Sequence, residues 1–168
     1  MNEAEALRAR LVRNIHEQPL QTSDRAPHYD GGRSARLFDD ADRKIGCGYD
    51  EVPPGKRSCP YHFHYAQEEV FVILSGEGTL RVAGEHVPVR AGDVIRILPG
   101  PAYPHQLLNT SDAMLTYLSL STREYPEICE YPDSQKYGAF AAPADGPLLH
   151  GGRMHRAKDD LDYWDGEP

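Results

Sequence analysis

Cysteine is scarce in this chain: of 168 residues only Cys47, Cys59 and Cys129 are cysteine, an odd number with no C-x-x-C pair. Neither a disulfide framework nor a structural zinc knuckle is indicated, and all three read as ordinary thiols. Long hydrophobic runs are missing too. The longest, Val70 to Leu74, falls far short of the roughly 20 apolar residues of a membrane helix, and the N-terminus has no signal-peptide hydrophobic region. We therefore expect no membrane partner and a cytoplasmic location. Positive charge is in deficit, with 18 Lys plus Arg against 26 Asp plus Glu and a formal net charge of −8. That balance repels phosphate backbones, and no basic stripe or helix-turn-helix signature offsets it, so nucleic acid is not an expected partner. What remains is a chain with 39% hydrophobic residues, 15 Gly and 14 Pro, which means a modest core threaded through many turns. The length fits one domain with extensions.

Residues 2–15 carry Leu7, Leu11 and Ile15 at spacing four, with Asn2 three before Glu5 as a capping box and Pro19 ending the pattern. This predicts a short helix. Gln21 to Asp42 is rich in Asp, Arg, Ser, Gly and Pro and reads as an arm with at most one short strand, near Ala35 to Phe38. Between Ile45 and Ser121 the texture changes to short β-branched runs bounded by Gly, Pro, Asn or Asp, the pattern of a sandwich or barrel. Strands are predicted at Ile45–Val52, Tyr61–Tyr65, Val70–Leu74, Thr79–Ala83, His86–Val89, Val94–Leu98, His105–Asn109 and Met114–Ser121. The continuous apolar run Val70–Leu74 predicts a central strand covered on both faces. After Ser121 aliphatic side chains thin out, and the last thirty or so residues cannot form a second core. Leu161, Tyr163 and Trp164 are expected to dock on the barrel. The organisation expected is a helix and arm over 1–42, a barrel over 43–121, and an irregular extension over 122–168, packed on the barrel or partly disordered.

The chemistry concentrates in PPGKRSCPYHFHYAQEEVFVILSGEG. His62 and His64 are one residue apart in a predicted strand, so both imidazoles share a face. A tight connection then leads to Glu69 at the start of the next strand, which brings its carboxylate beside them. His105 opens a later strand behind a Pro-rich turn and is the fourth predicted ligand. Three imidazoles and one carboxylate suit one divalent transition metal ion, Fe, Mn, Ni, Cu or Zn, and suit calcium or magnesium poorly. In an octahedral set they leave two positions for water, substrate or dioxygen.

These residues resemble the motifs of the cupin superfamily. His62, His64, Glu69 and Gly76 match the second half of its first motif, and Gly92, Pro99, Gly100, His105 and Asn109 correspond to its second. Gly55 stands one residue too far from His62, and the segment from Gly92 to His105 holds one residue more than the pattern; both departures fall in loops. The resemblance covers about Gly46 to Ser121. It implies an all-β fold, a double-stranded β-helix or jelly-roll cupin barrel, and a homodimer.

Rival readings sit beside these. Glu68 competes with Glu69, but Glu69 directly precedes the Val-Phe-Val-Ile run and stands at the motif's distance from Gly76, so Glu68 should point away from the barrel. Asn109 reads more simply as a turn-closing hydrogen bonder than as a site residue. Arg96 is expected on the surface. Tyr61, Tyr65 and Tyr103 each have a packing role to weigh, and Tyr103, in the loop before His105, is the one singled out as a catalytic proton or hydrogen-bond donor. Cys59 reads as an inert thiol. His16, His28, His86, His150 and His155 are set aside. The function expected is a mononuclear metalloenzyme acting on a small oxygen-bearing organic molecule. A dioxygenase is favoured over a sugar-phosphate-isomerase-like enzyme, because no general base besides the ligands is evident in the sequence. The alternative is a non-catalytic cupin that binds or senses a small ligand through its metal.

Overall fold

The computed structural model describes residues 2–38, 44–141 and 152–168. In chain order these form helix α1 (Glu3–Leu11) and strands β1 (Gln21–Thr22), β2 (Arg33–Phe38), β3 (Ile45–Val52), β4 (Phe63–His64), β5 (Glu69–Ser75), β6 (Glu77–Val82), β7 (Glu85–Arg90), β8 (Val94–Ile97), β9 (His105–Leu108), β10 (Leu115–Thr122), β11 (Glu127–Tyr131), β12 (Lys136–Phe140) and β13 (Arg153–Arg156). Short 3₁₀ turns lie at Ile15–Glu17, Pro132–Ser134 and Ala157–Asp159. No described helix is long and apolar enough to cross a membrane.

The strands pair antiparallel in the order β1-β2-β3-β10-β5-β8 for one sheet, with β7-β6-β9 and β13-β12-β11-β4 forming two smaller ones. A bridge joins the smaller sheets: the N–H of His62 donates to the carbonyl of His105 at 3.1 Å, and the N–H of His105 donates to that of His62 at 2.8 Å. They thus form one continuous face opposite the first sheet. This is the jelly-roll barrel that the alternating runs between Ile45 and Ser121 imply.

Strand parity builds the interior. Val52, Phe71, Ile73, Leu80, Val89, Ile97, Leu107, Leu115 and Tyr117 form the core, fed by alternate residues of facing strands. At one end of the core, Gly76 closes the β5–β6 turn at φ +80 with its backbone pressed against Met114 and Leu115, where no side chain fits. Asn109 closes the turn ahead of β10: its amide donates to the carbonyls of Val52 and Ala113, each at 2.7 Å, and its oxygen accepts from Ser111.

Several expectations need correction. The capping box forms, with Asn2 Oδ1 accepting from the Glu5 N–H and the Glu5 carboxylate accepting from the Asn2 N–H. Yet α1 stops at Leu11, and it buries none of its residues. Leucines at spacing four make too narrow a stripe to hold a helix on a sheet. The run Val70–Leu74 is interior to its sheet, between β10 and β8, but only Phe71 and Ile73 are buried and Leu74 is 38% exposed. Its outer face is not fully covered. The arm holds two strands, β1 and β2, with residues 39–42 lying outside the described residues. The C-terminal stretch is more regular than its composition suggests, because β11 and β12 gain their hydrogen bonds from backbone paired on to β4, which needs no aliphatic side chains. Leu161, Tyr163 and Trp164 do not dock: they are 76%, 83% and 71% exposed, and the two rings pack edge-on against each other.

Candidate metal centre

Three strands and a turn deliver the predicted ligands to one point. β4 and the residue before it present His62 and His64, β5 begins with Glu69, and β9 begins with His105, held opposite His62 by the bridge. Glu69 Oε2 lies 2.7 Å from His105 Nε2, 3.5 Å from His64 Nε2 and 4.0 Å from His62 Nε2. Donor atoms of His62, Glu69 and His105 all lie within 4.8 Å of one another, and so do those of His62, His64 and Cys129. His64 therefore joins the cluster through Glu69 rather than by close approach to His105, whose ring centre is 6.5 Å from its own.

The other nitrogen of each imidazole is spoken for. His62 Nδ1 meets the Pro60 carbonyl at 2.8 Å, His105 Nδ1 meets the Tyr103 carbonyl at 3.1 Å, and His64 Nδ1 meets the Glu127 carboxylate at 3.2 Å. Carbonyls and carboxylates only accept, so each Nδ1 carries the proton and each neutral ring turns an Nε2 lone pair toward Glu69. Three lone pairs around a carboxylate oxygen have nothing to donate to it. Accordingly, Glu69 Oε2 and His105 Nε2 are both buried without a hydrogen-bond partner in spite of their 2.7 Å separation. Such an arrangement needs a cation or extra protons at its centre. Burial pushes the Glu69 carboxyl up; with the three rings protonated instead, a His105 hydrogen bond and the positive charge on His64, His105 and His62 hold it below its ordinary range, the same pull that a bound cation exerts. A divalent ion fits this donor set, which is borderline in softness and pinned from behind by hydrogen bonds.

The sequence reading missed Glu127. It is 3% exposed on β11 and accepts four hydrogen bonds: His64 Nδ1 at 3.2 Å, and the N–H groups of Tyr65, Ala66 and Gln67 at 3.0, 3.0 and 3.1 Å. One side chain from the extension thus fixes both the tautomer of His64 and the loop that leads to Glu69. Cys129 was also unforeseen beside His62 and His64; it is buried, and burial pushes its thiol up to about 12. The only available signal was the period-two spacing of Glu127, Cys129 and Tyr131, which puts all three on one face of β11.

The remaining candidates fall as follows. Glu68 turns away and pairs with Arg96 at 3.2 Å, both partly exposed, so Arg96 is a surface group. Tyr103 is 40% exposed, and what reaches the cluster is its carbonyl oxygen, on His105 Nδ1. The Tyr61 hydroxyl accepts from the Gly84 N–H and its ring lies under Arg81, and the Tyr65 hydroxyl donates to Glu130, so both are engaged away from the ligands. Cys59 Sγ sits 3.9 Å from His62 Nδ1, and burial pushes its thiol up to about 12, as an inert group requires. His150 lies outside the described residues. A cavity of about 230 Å³ opens over the histidines, lined by His62, His64, Gln67, Tyr125, Tyr131 and Phe140, with Tyr131 stacked on His62.

A jelly-roll barrel with histidines and a glutamate converging at its mouth defines a cupin-type protein. The family model described as Cupin domain matches residues 48–121, so the barrel segment of the chain is a cupin domain. An oxalate-binding protein of Thermotoga maritima is 36% identical over 70 residues, covering 42% of this chain and 55% of that protein. The chain spans about half the length of the curated relatives it matches. Among solved structures, a sugar phosphate isomerase from a cupin superfamily of Silicibacter pomeroyi superposes with TM-score 0.73 at 23% identity, over 90% of this chain and 96% of that one. A predicted oxalate decarboxylase of Thermotoga maritima superposes with TM-score 0.60 at 25% identity, over 68% of this chain and all of that one.

Proposed function

We propose that this cupin is a mononuclear metalloprotein in which His62, His64, Glu69 and His105 hold one divalent transition metal ion and the cavity takes a small oxygen-bearing organic molecule. The observation that carries this reading is the set of three Nε2 lone pairs and one carboxylate turned on a common point with every Nδ1 engaged behind. Such an ion supplies Lewis-acid or redox chemistry and binding positions for ligand oxygens. The protein's own part is orientation: Glu127 and the two backbone carbonyls fix the rings, and Tyr131 and Phe140 wall the cavity. Dioxygenase-type oxidation is the chemistry we assign first, with isomerase-type proton transfer next to it. Tyr103 stays a proposed donor, on the premise that its loop folds toward a bound substrate. A homodimer is proposed from the family resemblance, to be tested by light scattering.

A second reading, metal-dependent ligand capture without turnover, is favoured by the likeness to the oxalate-binding protein over the barrel. Both are tested on untagged protein loaded in turn with iron(II) and manganese(II). Oxygen uptake with a panel of diols, phenols and keto acids supports the enzyme. Tight oxalate binding without consumption of any candidate supports capture. Failure of every first-row ion to bind removes both.

A further inference from the structure

A second carboxylate stands inside the barrel, and neither the motifs nor the ligand set uses it. Asp50 lies on β3 two residues from the core residue Val52, so strand parity turns it to the interior with Gly48. On β10 the same face carries Tyr117, Ser119 and Ser121, and on β5 it carries Glu69, Phe71 and Ile73. The register sets Ser121 opposite Glu69, Ser119 opposite both Phe71 and Gly48, and Tyr117 opposite Asp50. The Ser119 hydroxyl reaches across and donates to Asp50 Oδ2 at 2.8 Å. It can do so because residue 48 is glycine: a Cβ there would stand 2.6 Å from Ser119 Oγ. Since two residues advance a strand by roughly 7 Å, the carboxyl sits about one repeat deeper in the barrel than the row of Glu69, within the span of a small ligand bound there.

We propose that Asp50, positioned by Ser119, is the proton-transfer group of this site for a small ligand held against the histidine cluster. The inference rests on the reading given under Proposed function. In the step assigned to it, a ligand C–H or O–H bond breaks, the proton goes to a carboxylate oxygen of Asp50, and the electron pair stays on the ligand. In the return step the carboxyl O–H breaks and the proton goes back, so no oxidant or reductant is consumed. Burial pushes the Asp50 carboxyl up to about 6, the Ser119 hydrogen bond pulls the other way and the charge of Glu69 adds to the rise. That range suits a group that both gives and takes a proton near neutrality. The groups around it are Glu69 from β5, Tyr117 and Ser119 from β10, Cys59 ahead of β4, Cys47 on its own strand, and Ser34 and Arg36 of β2, opposite Asp50 and Gly48. This is the base the sequence did not reveal, and it places proton-transfer chemistry beside oxidation at the same histidine cluster.

The test uses the full chain loaded with manganese(II), with metal content measured for wild type, Asp50→Asn and Ser119→Ala. Calorimetric titration with oxalate near neutral pH, in buffers of different ionisation heat, counts protons taken up. Wild type is expected to take up part of a proton as the incoming anion makes Asp50 harder to ionise, and Asp50→Asn to take up none at unchanged metal content. Equal uptake in both overturns the proposal. If manganese binds but oxalate does not, the ligand class is wrong, and Asp50 is judged by infrared titration of its protonated-carboxyl band. A band absent from Asp50→Asn, with a midpoint that falls on adding manganese and rises in Ser119→Ala, supports the proposal. A midpoint indifferent to manganese overturns it. If manganese does not bind at all, the metal reading fails and this one falls with it.

Discussion

Replacing Glu127 by alanine should damage the protein twice, once in stability and once at the histidine cluster. The carboxylate accepts the backbone N–H groups of Tyr65, Ala66 and Gln67 and the Nδ1 proton of His64, and it is 3% exposed. Truncation leaves three amide donors without a partner in a partly buried loop. At about 1 kcal/mol each, the low end of the cost of an unmet buried donor, that is about 3 kcal/mol. Against a total of about 5–15 kcal/mol the loss is large, and for a chain of this size it lowers the melting temperature by roughly 6–12 °C. The same change frees the His64 ring to rotate and swap tautomers, and loss of such a partner behind a ligand typically costs about 10–100-fold in metal affinity. Glu127→Gln keeps one acceptor oxygen and should fall between the two in both measures. Thermal unfolding of metal-free protein and calorimetric titration with manganese(II) or zinc(II) separate the effects. A Glu127→Ala variant within about 0.5 kcal/mol of wild type that still binds metal with unchanged affinity would refute the reasoning.

Three further outcomes follow from the same geometry. His105→Ala should retain the fold but lose most of its bound metal by elemental analysis, with Glu69→Gln weakened less; full metal retention in His105→Ala would remove that residue from the site. Gly76→Ala should lose about 2–3 kcal/mol in denaturant unfolding, because φ +80 and the backbone of Met114 and Leu115 both exclude a Cβ; a loss below about 0.5 kcal/mol would show that the turn relaxes freely. In metal-free protein the Asp50 carboxyl titrates at about 6 when folded against an ordinary 3.8, so the folded state binds that proton more tightly and stability drops as pH rises through this window. At about 1.4 kcal/mol per unit the drop approaches about 3 kcal/mol. Asp50→Asn should lack it, so that wild type and variant converge at pH below 4 and diverge toward neutrality; parallel stability curves would count against a raised Asp50.

Much of the barrel was legible because its signals are local. Alternation of apolar and polar residues, bounded by turn residues, located β3 at Ile45–Val52 without error and the other barrel strands to within about two residues of their ends. The H-x-H spacing, Glu69 ahead of its apolar run and His105 behind the Pro-rich turn were equally readable, since each depends on which face of one strand a side chain takes. The failures share a cause of the opposite kind. Leu7 and Leu11 have helical spacing, and Tyr163 and Trp164 have large rings, yet all four stay largely exposed among the described residues. Neither outcome is written in the segment itself.

The sequence alone determined the barrel strands from β3 to β10, the parity of each and the donor types available for a metal. Only the tertiary structure decided that Glu127 stands behind His64 and that Asp50 meets Ser119 inside the barrel, contacts that span 63 and 69 residues of chain. The physical reason is range: a strand's period is set by its own backbone, whereas which strands become neighbours, and in what register, is set by how the whole sheet closes around one core.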